Sequence, residues 1–269
     1  TQYVCNGSVS RPIRCTHSHG KYVDLEEGIE QSCNPYFWSM YKDLLQRKGY
    51  VGENEGFKDC YQEWRDHVMS FGLGSRFDDT DIREQASGAI PSVGLYDKIY
   101  GKTGWKALTI RSLSIGQGEI LVTPLQLANQ AAAIANKGYY ITPHLNKNDS
   151  MKSEIHRTSI DEKYFDVVHR GMARVMTDGT GRWYNVPELH ICGKTGTVEN
   201  PHGEDHALFI GFAPQEDPKI AIAVAVENAG FGSKTACPIA TLVMEQYLTG
   251  QITRSWLYDE MVNMNLIAN

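Results

Sequence analysis

The sequence predicts an α+β protein in which an antiparallel sheet is packed with helices. Several segments before residue 191 repeat apolar residues at helical period, and cap-forming residues precede most of them. Near the C-terminal end, two strongly apolar segments over 206–213 and 219–227 are separated only by a short turn that contains two prolines. Because so short a connection joins neighbouring strands in opposite directions, we expect an antiparallel meander.

The bulk composition is that of an ordinary globular chain. With 269 residues, 41% of them hydrophobic and 22% charged, it can form one large domain or two small ones. The net charge of −6 argues against a nucleic-acid partner. No apolar run is long enough to span a membrane. The first residues lack an initiator methionine and a signal-peptide pattern, so we expect a fragment of a longer protein.

A single partial domain is expected over 1–269. It divides into an irregular lead-in over 1–23, a mainly helical part over 24–190, antiparallel strands with a C-terminal helix over 191–248, and a tail over 249–269. The lead-in is rich in glycine, serine and cysteine, and the tail is polar apart from Trp256 and Leu257.

Two helices are predicted at the start of the helical part. The first covers 24–31, because Asp24 and Glu27 match a capping box. The second opens at Pro35, since proline suits the first turn of a helix and Asn34 is a favoured cap before it.

The remainder of the helical part alternates helices with one long irregular segment. A third helix is predicted over 57–71, where an aromatic stripe is typical of core packing. The segment 72–118 is rich in glycine and turn residues and is predicted to be a loop, including the Lys-Thr-Gly at 102–104. Later helices are predicted after Thr123 and Pro124, after a capping-box pattern of Ser159 and Glu162, and after Cys237 and Pro238.

The segment 191–198 carries a cation, two threonines and two glycines on a predicted strand just before the meander. A glycine-bearing strand edge lets a ligand's backbone lie close, and lysine and hydroxyl groups beside it suit a carboxylate. Gly-Lys-Thr also occurs in phosphate-binding loops, but the first glycine of that motif would have to stand where this chain has Glu188. A phosphate-binding loop is therefore not expected.

A second polar pattern, Ser32-x-Asn34, stands at the junction of the first two predicted helices. Together with Lys-Thr-Gly at 194–196, it belongs to a motif set that also includes Ser-x-x-Lys and is found in penicillin-binding proteins and class A β-lactamases. The segments 114–128, 135–138 and 209–214 resemble class B penicillin-binding proteins, the D,D-transpeptidases that cross-link peptidoglycan. His19-Gly20 and the segment 32–37 resemble the elongation-type branch, penicillin-binding protein 2. The resemblance implies a β-lactamase/D,D-transpeptidase-like fold, incomplete at its N-terminal side.

The resemblance also implies roles for the two residues at the helix junction. Ser32 would relay a proton between a catalytic lysine and the leaving group. Asn34 would hydrogen-bond the peptide amide of the substrate. On the residues alone, Asn34 could equally be only a helix cap and Ser32 only a junction serine.

The strand residues receive their implied roles in the same way. Lys194 would raise the positive potential and help to keep the catalytic lysine neutral. The hydroxyls of Thr195 and Thr197 would bind the terminal carboxylate of the substrate, and the backbone N–H of Thr197 would form half of the oxyanion hole. Gly196 would keep the strand edge bare for the substrate.

The nucleophilic Ser-x-x-Lys of the family has no convincing match here. Ser18 and Lys21 have the spacing but lie among cysteine, histidine and glycine residues that argue against a buried helix. Ser39 and Lys42 share a helix face but follow the Ser-x-Asn motif, which reverses the family's order. We therefore expect the nucleophile and its lysine upstream of Thr1, and we expect these 269 residues alone to be inactive.

The implied function is cross-linking of D-Ala-D-Ala stem peptides through an acyl-serine, with inhibition by β-lactam antibiotics. Two alternatives stay open, a non-catalytic β-lactam-sensing or scaffold module and a serine β-lactamase. The resemblance further implies a periplasmic location, an inner-membrane anchor outside this chain, and a SEDS-type glycan polymerase as partner. A fragment that lacks its central helix should expose apolar surface and could self-associate.

Cys15, His17 and His19 cluster in the lead-in, with Cys5 nearby. Cysteine and histidine are the usual ligands of zinc, so a metal site is one interpretation. A polar surface loop is the alternative. Because no four-ligand zinc spacing is met, the sequence favours the loop, and neither a metal nor a cofactor is expected.

Overall fold

A computed structural model describes residues 1–5, 13–147 and 154–266 of the chain. The helices in these ranges are α1 (Leu25–Glu30), α2 (Asn34–Gln46), α3 (Glu55–Met69), α4 (Val93–Tyr100), α5 (Pro124–Ala135), α6 (Phe165–Thr177), α7 (Ala236–Thr249) and α8 (Ser255–Asn263). The strands are β1 (Tyr3–Val4), β2 (Tyr22–Val23), β3 (Tyr139–Ile141), β4 (Ile155–Arg157), β5 (Cys192–Val198), β6 (His206–Ala213) and β7 (Ile220–Val226). The predicted α+β class is confirmed.

The main sheet is a three-stranded antiparallel meander in the order β5-β6-β7, as predicted. Lys194 on β5 lies opposite Ile210 on β6, and Phe209 on β6 lies opposite Val224 on β7. Two minor sheets pair β1 with β2 and β3 with β4. Within the described residues, β5 and β7 each have one strand neighbour, so both outer edges of the meander are open to other contacts.

One hydrophobic core lies around the main sheet. Phe209 and Phe212 of β6 are fully buried together with Met176 of α6 and Met244 of α7. Helices α5 and α7 both contact β6 and β7, while α6 contacts β5 and α1. This packing holds β5 against α6 and thereby fixes one wall of the cleft described below.

A second core lies among the helices α2, α3 and α4. Phe57, Tyr61, Tyr96 and Trp105 are fully buried and meet mostly edge to face, with ring centroids 5.1–5.8 Å apart. The aromatic stripe of the third predicted helix is thus core, as expected.

The structure differs from the sequence-based predictions in several places. The segment predicted to be a loop over 72–118 contains α4, which Ser92 caps by accepting a hydrogen bond from the Leu95 N–H. This helix is only eight residues long, and Tyr96 is its one buried residue. The predicted loop at 102–104 is confirmed as a turn directly after α4. The short pair β3 and β4 was not predicted.

Two predicted caps are wrong. The capping box of Ser159 and Glu162 does not form, because Asp161 caps a 3-10 turn over Glu162–Tyr164, and Ser159 bonds His67 instead. Helix α2 begins at Asn34, so the residue at its N-cap position is Cys33 and not Asn34.

The capping box of α1 is confirmed, with the Asp24 side chain accepting from the Glu27 N–H and the Glu27 carboxylate accepting from the Asp24 N–H. None of the helices in the described ranges has the length and apolar character that crossing a bilayer requires.

Candidate active site

A cleft of about 610 Å³ lies between β5 and the helical part. Its walls come from the lead-in, from α2, from the loop before α5, from the loop after α6, and from β5 and the loop before α7. The lining residues are Thr16, His17, Ser32, Asn34, Phe37, Ser114, Ile115, Gln117, Gln130, Thr180, Lys194, Thr195, Gly196, Thr197, Glu199, Asp205, Phe231 and Ser233. All six sequence-predicted site residues, from Ser32 to Thr197, lie in this one cleft.

Ser32 is held in an unusual backbone conformation. It occupies the three-residue junction between α1 and α2 with a φ of 49°, the left-handed region that L-residues rarely adopt. Its N–H donates to the Ile29 carbonyl at 3.2 Å, and the next residue, Cys33, donates to the Gly28 carbonyl at 3.0 Å. The last turn of α1 therefore fixes the Ser32 side chain, and a strained residue at such a place is consistent with a functional role.

Lys194 reaches from β5 to this junction. Its Nζ donates to Ser32 Oγ at 2.7 Å and to the Thr195 carbonyl at 2.8 Å. No carboxylate within the described ranges forms an ion pair with it. Because burial disfavours the charged ammonium, the pKa of Lys194 is lowered to about 8. The cleft thus contains a cation that lacks an anionic partner, which favours an anionic ligand.

Thr195 and Thr197 are held differently. The Thr195 side chain is almost buried, and its hydroxyl lies 2.6 Å from the hydroxyl of Thr180. Thr197 Oγ1 accepts from the Gly232 N–H at 3.2 Å, and its carbonyl accepts from Gln117 Nε2 at 3.4 Å. Each of the two hydroxyls thus takes part in one hydrogen bond with a neighbouring loop.

The two glycines near these threonines are needed for packing. A Cβ at Gly196 would meet the Leu208 Cβ at 3.2 Å on the neighbouring strand. A Cβ at Gly232 would come within 2.0 Å of the Gly196 carbonyl oxygen, so only glycine lets this loop approach β5. The predicted role of Gly196, a bare edge for the substrate, stays a prediction.

Asn34 lines the cleft from the first turn of α2. Its side-chain Nδ2 donates to the Arg14 carbonyl at 3.1 Å and so anchors the lead-in to this helix. The amide is therefore engaged in a tertiary contact rather than in the predicted helix cap.

Several cleft residues were not assigned from the sequence. Gln117 lies in the segment 114–128 but had no assigned role, and Thr180 lies in the sequence Asp-Gly-Thr-Gly at 178–181. Phe231 and Ser233 carried no signal. For Gln117 and Thr180, the available sequence signal was a polar residue flanked by glycines, before or after a predicted element.

Neither candidate Ser-x-x-Lys pair lines the cleft. Ser39 and Lys42 lie on α2, and Ser18 and Lys21 lie in the lead-in, all outside the lining set. Within the described ranges, the residues that line the cleft therefore include the Ser-x-Asn and Lys-Thr-Gly motifs but no Ser-x-x-Lys motif.

Cys33, the residue after Ser32, belongs to a group of side chains that could ligate a metal ion. The sulfurs of Cys5, Cys15 and Cys33 and a ring nitrogen of His19 all lie within 4.8 Å of one another. Cys15 Sγ is 3.7 Å from Cys5 Sγ, 3.8 Å from Cys33 Sγ and 3.3 Å from His19 Nε2. Tetrahedral zinc with Zn–S bonds of ~2.3 Å spaces its sulfurs by about 3.8 Å, so these residues fit the ion.

The thiols of this group differ in their electrostatics, because the hydrogen bond between Cys15 and Cys33 raises the pKa of Cys33. Hydrogen bonding to Cys33 lowers the pKa of Cys15 to about 5, with further lowering from His19 and Cys5. Metal ligands must be thiolates, so the lowered pKa of Cys15 favours binding, whereas Cys33 has to give up its proton when a metal binds. The sequence pattern suggested His17 as a ligand, but in the structure Cys33, at the start of α2, takes that place in the group.

Comparisons with known proteins agree with this geometry. The family model described as penicillin binding protein transpeptidase domain matches residues 3–245. The peptidoglycan D,D-transpeptidase MrdA of Acinetobacter baumannii is 30% identical over 255 residues, which cover 86% of this chain and 35% of that protein.

Solved structures show the same fold. Pseudomonas aeruginosa PBP2, in complex with WCK 5153, matches with a TM-score of 0.73 and 30% identity over 95% of this chain and 56% of that one. A structure on the coordination of polymerization and crosslinking by a peptidoglycan synthase complex matches with a TM-score of 0.73 and 24% identity over 94% of this chain and 43% of that one. The predicted transpeptidase-like fold is confirmed. The chain spans about a third of the length of the curated relative.

Proposed function

This chain belongs to the penicillin-binding protein transpeptidase family, and we propose that it forms part of a serine-type peptidoglycan D,D-transpeptidase. Its substrate would be a stem peptide ending in D-Ala-D-Ala. The observation that carries the proposal is the 2.7 Å contact of Lys194 Nζ with Ser32 Oγ inside a cleft that also presents threonine hydroxyls. A cation and hydroxyl donors suit the binding of a terminal carboxylate, and a proton-relaying hydroxyl suits acyl transfer from the neighbouring peptide bond.

The proposed reaction has two steps. A serine oxygen bonds to the carbonyl carbon of the penultimate D-Ala, the C–N bond to the terminal D-Ala breaks, and the departing amine takes the serine proton. An amine of a second stem peptide then attacks the ester carbonyl carbon and forms the new amide, while the bond from that carbon to the serine oxygen breaks and a proton of the amine passes to the serine oxygen. The nucleophilic serine and its lysine belong to the part of the protein outside these 269 residues.

The residues of this chain have distinct parts in that reaction. Ser32 relays the proton, since its hydroxyl can accept from Lys194 and donate in turn. Thr195 and Thr197 bind the substrate carboxylate in the field of Lys194, and the Thr197 N–H polarises the reacting carbonyl. Asn34 bonds the substrate amide through its side-chain oxygen.

The setting of the enzyme follows from its kind of substrate. Peptidoglycan lies outside the cytoplasm, so we place the protein on the periplasmic side of the inner membrane, with an anchor outside this chain. A SEDS-type glycan polymerase is proposed as partner. The fold shared with the peptidoglycan synthase complex supports that pairing.

Labelling with a fluorescent penicillin tests the function. The full-length protein should form a covalent adduct, and Lys194→Ala should slow its formation about a hundredfold or more, as loss of a buried electrostatic group does. Lys102→Ala is the matched control, because Lys102 begins the other Lys-Thr-Gly and pairs with Glu53 on the surface.

Three outcomes would contradict the proposal. Reversible binding without acylation would make the protein a sensor or scaffold. Rapid hydrolysis of nitrocefin would make it a β-lactamase. Labelling of the 269-residue chain at Ser18 or Ser39 would place the nucleophile inside this sequence.

A further inference from the structure

Thr180 lies in the loop between α6 and β5, and its hydroxyl touches the site. Thr180 Oγ1 is 2.6 Å from Thr195 Oγ1, and both residues line the cleft. Within the described residues, neither hydroxyl has another hydrogen-bond partner. The two therefore form an isolated pair, 15 residues apart in sequence.

The backbone on either side of Thr180 is fixed. The Gly179 N–H donates to the Arg174 carbonyl at 2.8 Å, and the Gly181 N–H donates to the Val175 carbonyl at 2.9 Å. A Cβ at Gly179 would lie 2.4 Å from the Glu30 carbonyl oxygen, so the loop packs tightly against the end of α1. The Thr180 hydroxyl is thus presented to β5 from a rigid support.

The direction of the hydrogen bond in this pair decides what Thr195 can do. A hydroxyl carries one proton, so a Thr195 that donates to Thr180 has none left for a ligand. When Thr180 donates instead, the Thr195 proton is free to point into the cleft, and its oxygen is polarised by the accepted bond. A carboxylate accepts hydrogen bonds and donates none, so it selects the second arrangement.

We propose that Thr180 is a positioning residue that donates to Thr195 and thereby directs the Thr195 hydroxyl at the carboxylate of the bound peptide. The inference rests on the proposed function, because it presupposes a carboxylate ligand on β5. It adds a residue from outside the Ser-x-Asn and Lys-Thr-Gly elements to the recognition of that carboxylate.

The test compares Thr180→Val, which removes the hydroxyl at nearly constant volume, with Thr180→Ser, which keeps it. Dissociation constants are measured on the full-length protein for an N-acylated peptide ending in D-Ala-D-Ala and for the same peptide ending in a carboxamide. Thr180→Val should weaken binding of the carboxylate peptide about three- to tenfold, the usual effect of one hydrogen bond. Thr180→Ser should restore it to within about twofold, and the carboxamide peptide should respond to neither variant.

A second arm asks whether Thr180 acts through Thr195. In a Thr195→Val background, Thr180→Val should cause no additional loss, whereas independent contacts would give losses that add. Additive losses, equal losses for both peptides, or an unaffected Thr180→Val would each overturn the inference. If the unmodified protein does not prefer the carboxylate peptide, the proposed function itself fails, so the two failures are distinguishable. Thermal unfolding of each variant separates misfolding from lost recognition.

Discussion

Lys194 Nζ lies 2.7 Å from Ser32 Oγ, although 162 residues separate the two in the chain. The contact joins the main sheet to the junction of α1 and α2 and so connects the two walls of the cleft. Burial lowers the pKa of Lys194 to about 8. Several properties of the protein should therefore depend on this one ammonium group.

Carboxylate binding should weaken as the pH rises through about 8. Lys194 loses its charge there and with it the attraction for an anion. The other titratable groups that line the cleft are His17, Glu199 and Asp205, so a variant that lacks only the Lys194 ammonium isolates the effect of this lysine. Affinity for a D-Ala-D-Ala peptide, measured from pH 7 to 10, should fall in the native protein and stay flat in Lys194→Gln. A native profile that is flat over this range would show that Lys194 does not bind the carboxylate.

The stability of the fold should rise with pH, whereas carboxylate binding falls. The folded pKa of about 8 lies below the ordinary lysine value, so between the two values the unfolded chain binds more protons. The free energy of unfolding therefore rises with pH across that window. At pH 7 the charged group costs stability, and Lys194→Met should stabilise the protein by on the order of 1–2 kcal/mol after loss of the contact with Ser32.

Urea unfolding of both proteins at pH 7 and pH 10 measures this effect. The difference between Lys194→Met and the native protein should shrink at the higher pH. Equal pH dependence in the two proteins would contradict a lowered lysine pKa.

The left-handed backbone of Ser32 makes a separate prediction. Glycine adopts a φ of 49° without the cost of about 1 kcal/mol that a Cβ carries there. Ser32→Gly should therefore be about 1 kcal/mol more stable than Ser32→Ala, which keeps the strain and loses the hydroxyl. Both variants should lose penicillin labelling to the same degree, because both lack the group that Lys194 contacts. Equal stability of the two variants would mean that the junction relaxes.

The cysteine–histidine group should bind one zinc ion per chain. Cys33→Ser and His19→Ala should each weaken binding at least tenfold, as loss of a ligand does. His17→Ala is the matched control, since His17 neighbours the group but is not among its ligating residues. Cobalt substitution gives an independent measurement, because tetrahedral thiolate coordination has a characteristic visible spectrum. Binding that survives Cys33→Ser unchanged would place the ion elsewhere.

Local sequence signals predicted much of the fold and less of the site. The meander and the capping box of α1 were readable, since strand alternation and cap chemistry act over a few residues. Helix α4 was not predicted, because its eight residues lie within a long segment rich in glycine and turn residues. The motif residues were found because they sit in recognisable sequences.

The contacts of those motif residues could not be predicted from sequence. Asn34 looked like a cap, but its amide is used on the Arg14 carbonyl. Cys33 joins three lead-in residues only because the chain folds back on the start of α2. The role proposed for Thr180 rests on its 2.6 Å contact with Thr195, which no rule of sequence spacing predicts.

The open outer edge of β7 should favour association between molecules of this chain. Its residues Ile220–Val226 carry no charge and no proline, which are the features that usually discourage strands of different molecules from pairing. Lys219 and Glu227 stand only at its two ends. Solutions of this chain by itself should therefore scatter more light as they are concentrated, and a charged residue placed at the centre of β7, such as Ala223→Lys, should delay the onset.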